Sequence, residues 1–357
     1  MKPLIGLLQN LRLRLLLAQA RWRRKPQVEV HASSSPELDL VFVTPPESAK
    51  GWILDAICRE IGSRLPGLKV AYCRFGSPHP AARSHFHSHY MYFVGSLQFQ
   101  RALPAGRHYV FATHLEPEKH RIDDRLLAQL LNLADGIICM NRALRDKLAA
   151  LGVAAGKLTV VVGAADSTLF QPHVRREDGK VGFCAAFYER KSPDRILQII
   201  TSMPHRRFVL LGKGWQQYRR FEELRDAPNL EYVEAGYEAY PAYYAQMSVF
   251  ISASQLEGGP IPLLEAMMSN AVPVASRTGF APDIIQHGVN GLLFDIDSPV
   301  EAICRLVDQA FTLDADVART VAGCDWIPFT AAVVETMGLD ANVSAPKAGT
   351  SQSTAKS

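Results

Sequence analysis

The chain reads as an α/β protein built from two doubly wound domains, and three observations carry that reading. Strand-like and helix-like runs alternate over residues 38–162 and again over 181–311. A charged stretch at 172–180 (PHVRREDGK) separates the two series. The length, 357 residues, suits two domains rather than one. Alternating β and α elements bury a parallel sheet between helix layers. A hydrophobic fraction of 48% supplies enough apolar surface for two cores.

Residues 1–26 carry seven Lys/Arg and no acid. Leu4, Leu8, Leu11, Leu15, Ala18 and Trp22 fall at spacings of three and four, one stripe on a helix. Arg12 and Arg14 interrupt the apolar run, so neither a spanning helix nor a secretory leader is expected. The pattern fits a helix lying on an anionic membrane surface. A helix packed on the protein itself has the same spacing, and an Arg-rich, acid-poor start is also found in mitochondrial presequences. Residues 31–36 (HASSSP) read as a linker.

In the first series, 38–43 (LDLVFV) is a strand, 44–51 a loop ending at Gly51, and 52–65 a helix with Ile53, Ile57 and Ile61 on one face. Residues 68–72 form the next strand. The stretch 74–95 has weak periodicity and is expected to be an irregular, acceptor-facing loop. Its histidines, His79, His85, His87 and His89, are expected to be exposed or to line substrate rather than to bind metal. Strand 108–112 delivers Thr113 and His114 to its C-terminal end, where open α/β sheets place ligands. Residues 134–140, 141–151 and 159–162 complete the series as strand, helix and strand. In the second series, strand 181–186 runs through 187–193 (FYERKSP) into a helix to about 202. Strand 207–211 ends at Gly212-Lys213-Gly214, 230–233 is a short strand, and 237–245 opens a helix whose tyrosines suit a core or a stacked base.

The chemistry concentrates at 256–294, LEGGPIPLLEAMMSNAVPVASRTGFAPDIIQHGVNGLLF. Glu257 and Glu265 stand eight positions apart around Gly258-Gly259 and two prolines. Glycines let a backbone approach a ligand. Pro260 and Pro262 favour a helix beginning near Ile261. Its N-terminal N–H groups and dipole suit a phosphate. Two carboxylates there suit sugar or ribose hydroxyls.

This series resembles the donor-binding half of retaining glycosyltransferases of the GT-B fold, family 4. Their pattern is E-G-x-P-x-x-x-x-E-A-M-A-x-G-x-P-V, then G-G-x-P-E, then a-x-G-x-N-G-x-L. The chain departs from it at Asn270 and Phe280, where that family has glycine. The resemblance implies that two Rossmann-like domains face each other across a cleft. It implies that Glu257 binds donor-sugar hydroxyls, Glu265 the ribose, and Lys191 the diphosphate. Backbone N–H groups of Gly258, Gly259 and Ile261 would stabilise the leaving group, Gly212 would lie under the nucleotide, and His114 would sit near the reacting sugar. Gly51 marks the remnant of a glycine-rich acceptor or phosphate loop. The family's diphosphate arginine falls on Ala185 or Ala186 here, and the neighbouring Arg190 is the candidate substitute.

The resemblance also sets the expected division. Residues 1–36 are the basic helix and linker, 37–172 the acceptor domain, 173–324 the donor domain, 325–340 a helix crossing back to the first domain, and 341–357 a disordered tail. It implies no cofactor and no metal, with a nucleotide-diphospho-sugar as donor substrate and a glycan or lipid-linked acceptor. A net charge of +4 gives no bulk argument for nucleic acid. Six cysteines without C-x-x-C spacing suit a reduced, cytoplasmic setting, with residues 1–26 on the inner membrane face. Two alternatives remain: a catalytically silent sugar-nucleotide-binding subunit, and another GT-B enzyme such as a sugar-nucleotide epimerase.

Overall fold

The computed structural model describes residues 10–15, 17–18, 37–49, 53–99, 103–116 and 122–346. Contacts divide the chain into two units, with boundaries at Val161/Val162 and Pro328/Phe329. The segment 172–180 lies in the second unit, where Ser248 Oγ accepts from Arg176 N at 2.9 Å.

The first unit is a six-stranded parallel sheet in the order β2-β1-β3-β4-β5-β6. Its strands are β1 (Leu38–Thr44), β2 (Val70–Arg74), β3 (Ala82–His87), β4 (Arg107–Ala112), β5 (Gly136–Cys139) and β6 (Leu158–Val160). Its helices include α1 (Ile53–Ser63), α2 (Tyr90–Phe99), α3 (Asp124–Leu131) and α4 (Arg142–Ala150). Short polar side chains start the last two: Asp123 accepts from Leu126 N at 2.9 Å, and Asn141 from Leu144 N at 2.7 Å.

The expectation for 74–95 is corrected here. The stretch holds a full internal strand, β3, and most of α2. His85 and His87 share one face of β3, as the H-x-H spacing allows, but that face is buried. His79, His85, His87 and His108 form an interior cluster instead of an exposed or substrate-lining group. The His85 ring stacks on His108 at 4.6 Å, and His87 lies edge-on to Phe93. His108 Nε2 faces the Pro104 carbonyl at 3.1 Å, so that nitrogen carries the proton. Its Nδ1 then accepts from His87 Nε2–H at 3.1 Å. His85 Nε2–H donates to the Pro80 carbonyl at 2.8 Å. These bonds leave the Nδ1 lone pairs of His85 and His87 buried without a partner. Burial is the largest cause lowering the pKa of each ring; His79 and His108 are brought down to about 4. Among the described residues no group of three or more His, Cys, Asp and Glu is arranged to hold a metal ion.

Residues 10–15 and 17–18 are helical and belong to this unit. Leu13 and Leu17 are buried in the core cluster with Phe93, Leu127 and Leu130. Asp123 N donates to Asn10 Oδ1 at 3.3 Å. The stripe read from the sequence faces the other way: Leu11 and Leu15 are 57% and 60% exposed, and Ala18 is exposed too. Leu4, Leu8, Trp22 and Gly51 lie outside the described residues.

The second unit is also a six-stranded parallel sheet, in the order β12-β11-β10-β7-β8-β9. It comprises β7 (Lys180–Cys184), α5 (Pro193–Ser202), β8 (Phe208–Leu211), α6 (Phe221–Arg225), β9 (Leu230–Val233), α7 (Tyr240–Tyr244) and β10 (Met247–Ser252). Then follow α8 (Ile261–Met268), β11 (Val272–Ser276), α9 (Ala281–Ile284), β12 (Leu292–Phe294), α10 (Val300–Thr312) and α11 (Val317–Thr320). The strand order reverses between the adjacent β7 and β10, and a doubly wound sheet opens a crevice at such a point.

The chain re-enters the first unit within α12 (Trp326–Thr336), where Tyr109 O–H donates to the Met337 carbonyl at 2.8 Å. Of the expected disordered tail, residues 341–346 are described as irregular chain, and Ser344 N donates to the Arg64 carbonyl at 3.2 Å. Residues 347–357 lie outside the described residues.

Six cysteines are free, three in each unit. No described helix is long and apolar enough to cross a membrane.

Candidate functional site

The loops after β7 and β10 meet at the reversal point of the second sheet. After β7 the chain makes a single helical turn, Glu189–Lys191, and then places Ser192 in a left-handed conformation (φ 58°) before α5. Non-glycine residues adopt that conformation at a cost and favour functional loops. The turn aims two cations at one acid. Lys191 Nζ donates to Glu257 Oε1, and Arg190 Nη1 lies 3.2 Å from Oε2. Arg190 Nη1 also donates to the Leu256 carbonyl at 2.9 Å, while its own carbonyl accepts from Gln255 N at 2.8 Å. The two loops are therefore tied by both main chain and side chain.

Glu257 is only 6% exposed. Burial pushes its pKa up, but Lys191 and then Arg190 outweigh that effect, and the carboxyl is held below its ordinary value. Thr278 Oγ1 accepts from Glu257 N at 3.1 Å. Gly279 adopts φ +58°, and a Cβ there would meet Glu257 Cβ at 2.9 Å and the Gly258 carbonyl at 3.0 Å. Only glycine lets the loop after β11 press so closely on this segment. Gly258 and Gly259 follow Glu257, and α8 begins at Ile261, where the sequence places it.

Gly212 closes the floor of the β7 loop. Its φ is +146°, and a Cβ would lie 1.9 Å from the Ala185 carbonyl oxygen. That carbonyl accepts from Trp215 Nε1 at 2.8 Å, and Phe187 N donates to the Lys213 carbonyl at 2.9 Å. Alanine at 185 and 186 thus leaves a tightly bonded loop, with the positive charge supplied by Arg190 and Lys191.

Glu265 lies one turn inside α8 and is buried. Tyr237 O–H donates to its Oε1 at 2.7 Å and Tyr244 O–H to its Oε2 at 2.8 Å. Burial pushes its pKa up to about 7, against the lowering effect of the two tyrosines. The two departures from the family pattern also have local explanations. Asn270 takes the left-handed conformation that ends α8 (φ 67°), which asparagine tolerates better than most residues. Its side chain donates to the His173 carbonyl at 3.1 Å and accepts from Val317 N at 3.1 Å. Phe280 is fully buried.

His114 belongs to the first unit, on the loop after β4. Its Nδ1 lies 3.0 Å from Thr113 Oγ1, and its Nε2 lies 3.9 Å from Glu116. The second unit thus brings together Lys191, Arg190, Glu257, Gly258, Gly259 and Ile261, with Gly212 under the neighbouring loop. The sequence reading missed Thr278, Ser192 and the tyrosine pair on Glu265. A hydroxyl preceding Gly279 is the only mark of the first, and backbone strain at a serine leaves none.

Comparison with known proteins agrees with this architecture. Residues 178–309 match the family model of glycosyl transferases group 1. A 177-residue stretch is 25% identical to the sulfoquinovosyl transferase SQD2 of Arabidopsis thaliana, over 45% of this chain and 35% of that protein. A 154-residue stretch is 27% identical to the Vi polysaccharide biosynthesis protein VipC/TviE of Salmonella typhi, over 40% of this chain and 26% of that one. The chain therefore spans about a third or less of the length of these curated relatives. Among solved structures, Anabaena Alr3699/HepE in complex with UDP and glucose superposes with a TM-score of 0.66 at 13% identity, covering 85% of this chain and 100% of that one. The fold is GT-B, and the chain resembles the glycosyltransferases that share it.

Proposed function

We propose that this GT-B chain is a retaining, metal-independent glycosyltransferase that moves a sugar from a nucleotide-diphospho-sugar to a glycan or lipid-linked acceptor. The observation that carries this reading is the buried Glu257 carboxylate clasped by Lys191 and Arg190 at the sheet's reversal point. Those cations are paired with carboxylate while no donor is bound. A diphosphate arriving at the start of α8 offers them a stronger anion, and Glu257 is released toward the sugar hydroxyls. Fixed cations and helix-end amides then stabilise the negative charge that develops on the departing diphosphate. Catalysis by such preorganised groups does not require two carboxylates flanking the glycosidic bond. The match of 178–309 to glycosyl transferases group 1, and the UDP and glucose held by HepE, support a uridine donor as the first to test.

A thermal-shift series with UDP-, GDP-, ADP- and dTDP-sugars tests the reading. One nucleotide class is expected to raise the melting midpoint by several degrees at a hundredfold excess over its dissociation constant, because ligand linkage there is worth about 2.7 kcal/mol. No response to any of them would count against a donor site at Glu257.

The proposal places the enzyme on a membrane surface. The exposed Leu11 and Leu15, flanked by exposed Arg12 and Arg14 on a helix anchored through Leu13 and Leu17, support it. Replacing Leu11 and Leu15 by glutamate is expected to cut binding to phosphatidylglycerol vesicles at least tenfold while the melting midpoint stays within two or so degrees of the parent, since about 3 kcal/mol of apolar insertion is lost. Equal vesicle binding by parent and variant would refute membrane contact through this face.

A further inference from the structure

Glu265 is 2% exposed and has both carboxyl oxygens engaged by phenols. The two tyrosines are not equivalent. Tyr244 ends α7, is fully buried, and packs on Phe250 and Phe170. Tyr237 is 37% exposed and stands on the single turn Tyr237–Ala239, directly after Gly236. Its ring meets Phe170 edge-on at 5.9 Å and Tyr240 at 5.6 Å. Tyr237 can turn outward at less cost than Tyr244, whose rotation would empty part of the core.

Glu265 also sits four residues along α8 from Ile261, about 6 Å on the helix axis. A ligand whose diphosphate lies at the start of α8 therefore carries its nucleoside toward Glu265. We propose that Tyr237 is the cover of a ribose subsite: its hydroxyl occupies the place of a ribose hydroxyl on Glu265, and a ribonucleotide binds by displacing it. The inference rests on the glycosyltransferase reading and names the residue that guards its nucleoside site. One O–H donor replaces another, so the buried carboxylate keeps its hydrogen bonds throughout. A nucleotide lacking those hydroxyls turns the cover out and leaves Glu265 Oε1 unsatisfied, which selects against deoxyribose.

The test is calorimetric binding of UDP, GDP and ADP, and of their 2′,3′-dideoxy counterparts, to the parent, Tyr237→Phe and Glu265→Gln. It is run at pH 8, above the value of about 7 to which burial raises the Glu265 carboxyl. Circular dichroism confirms that each variant is folded. Tyr237→Phe removes the competing donor and is expected to bind the preferred ribonucleotide about tenfold more tightly than the parent. The dideoxy form turns out the same cover, so it should gain by a similar factor while binding both proteins about tenfold more weakly than the ribonucleotide. Unchanged or weaker ribonucleotide binding by Tyr237→Phe, or dideoxy binding as tight as ribonucleotide binding, overturns the cover while leaving the donor site intact, provided Glu265→Gln still weakens binding. Failure of every nucleotide to bind the folded parent and Tyr237→Phe overturns both readings.

Discussion

Glu257→Ala is expected to lower turnover by two orders of magnitude or more, with a much smaller change in nucleotide affinity. In the proposed reaction the carboxylate meets the sugar, whereas the nucleotide is held through the cations and the far end of α8. Removing it deletes a fixed contact at the reacting group, and losses of about 10²–10³ in kcat accompany removal of a single preorganised stabilising group. Stability should fall as well. Lys191 and Arg190 would be left facing a low-dielectric pocket without their counter-charge, and breaking a buried ion pair from one side costs about 3–5 kcal/mol. The lower end applies here, because Arg190 retains the Leu256 carbonyl and a third of its side chain reaches water. Glu257→Gln separates the effects: it keeps the volume and loses the charge. Steady-state kinetics of both variants, beside their melting curves, check the assignment. Parent-like turnover in both would remove Glu257 from the reaction.

The second large effect is acid sensitivity of the first unit. His79 and His108 have folded-state pKa values of about 4, below the ordinary 6.5, and burial is the first cause in each. The folded unit keeps these rings neutral, while the unfolded chain protonates them once the pH drops below 6.5. Their contribution is therefore complete above 6.5 and is lost progressively as pH falls through 4. Each such shift is worth roughly 3 kcal/mol at one pKa unit per 1.36 kcal/mol, and His87 shifts in the same direction. Losses of that size consume much of a domain's stability, typically about 5–15 kcal/mol. The second unit contains a group of opposite sign. Glu265 has its pKa raised to about 7, so its contribution is present below the ordinary 4.5 and declines as pH rises through 7. Hydrogen exchange followed from pH 7 to pH 4.5 should show the first unit losing protection first. A first unit whose protection is constant over that range would contradict the tautomer scheme.

The sequence was most legible where hydrophobic period and turn chemistry agree. Strand β10, the two prolines and the start of α8 fall where the pattern puts them, because proline geometry and a buried apolar run act locally. Strand β3 (ARSHFH) was not legible. Its core positions hold histidines, which are polar by type, and the rings of His79, His108 and Phe93 make that face an interior. The same limit applied at the site. Lys191 was named from the resemblance alone, whereas its bond to Glu257 and the bonds of Glu265 to Tyr237 and Tyr244 join segments far apart in sequence.

The distribution of sulfur has a practical corollary. Cys58 and Cys139 in the first unit and Cys184 in the second are held as thiols by burial, with Cys139 and Cys184 pushed up to about 12. Alkylating reagents attack the thiolate. In the native protein these thiols are thus slow to react, and each gains reactivity when its own half opens. Pulse labelling read out by peptide mass would turn the native sulfurs into two independent clocks of unfolding, with no engineered probe.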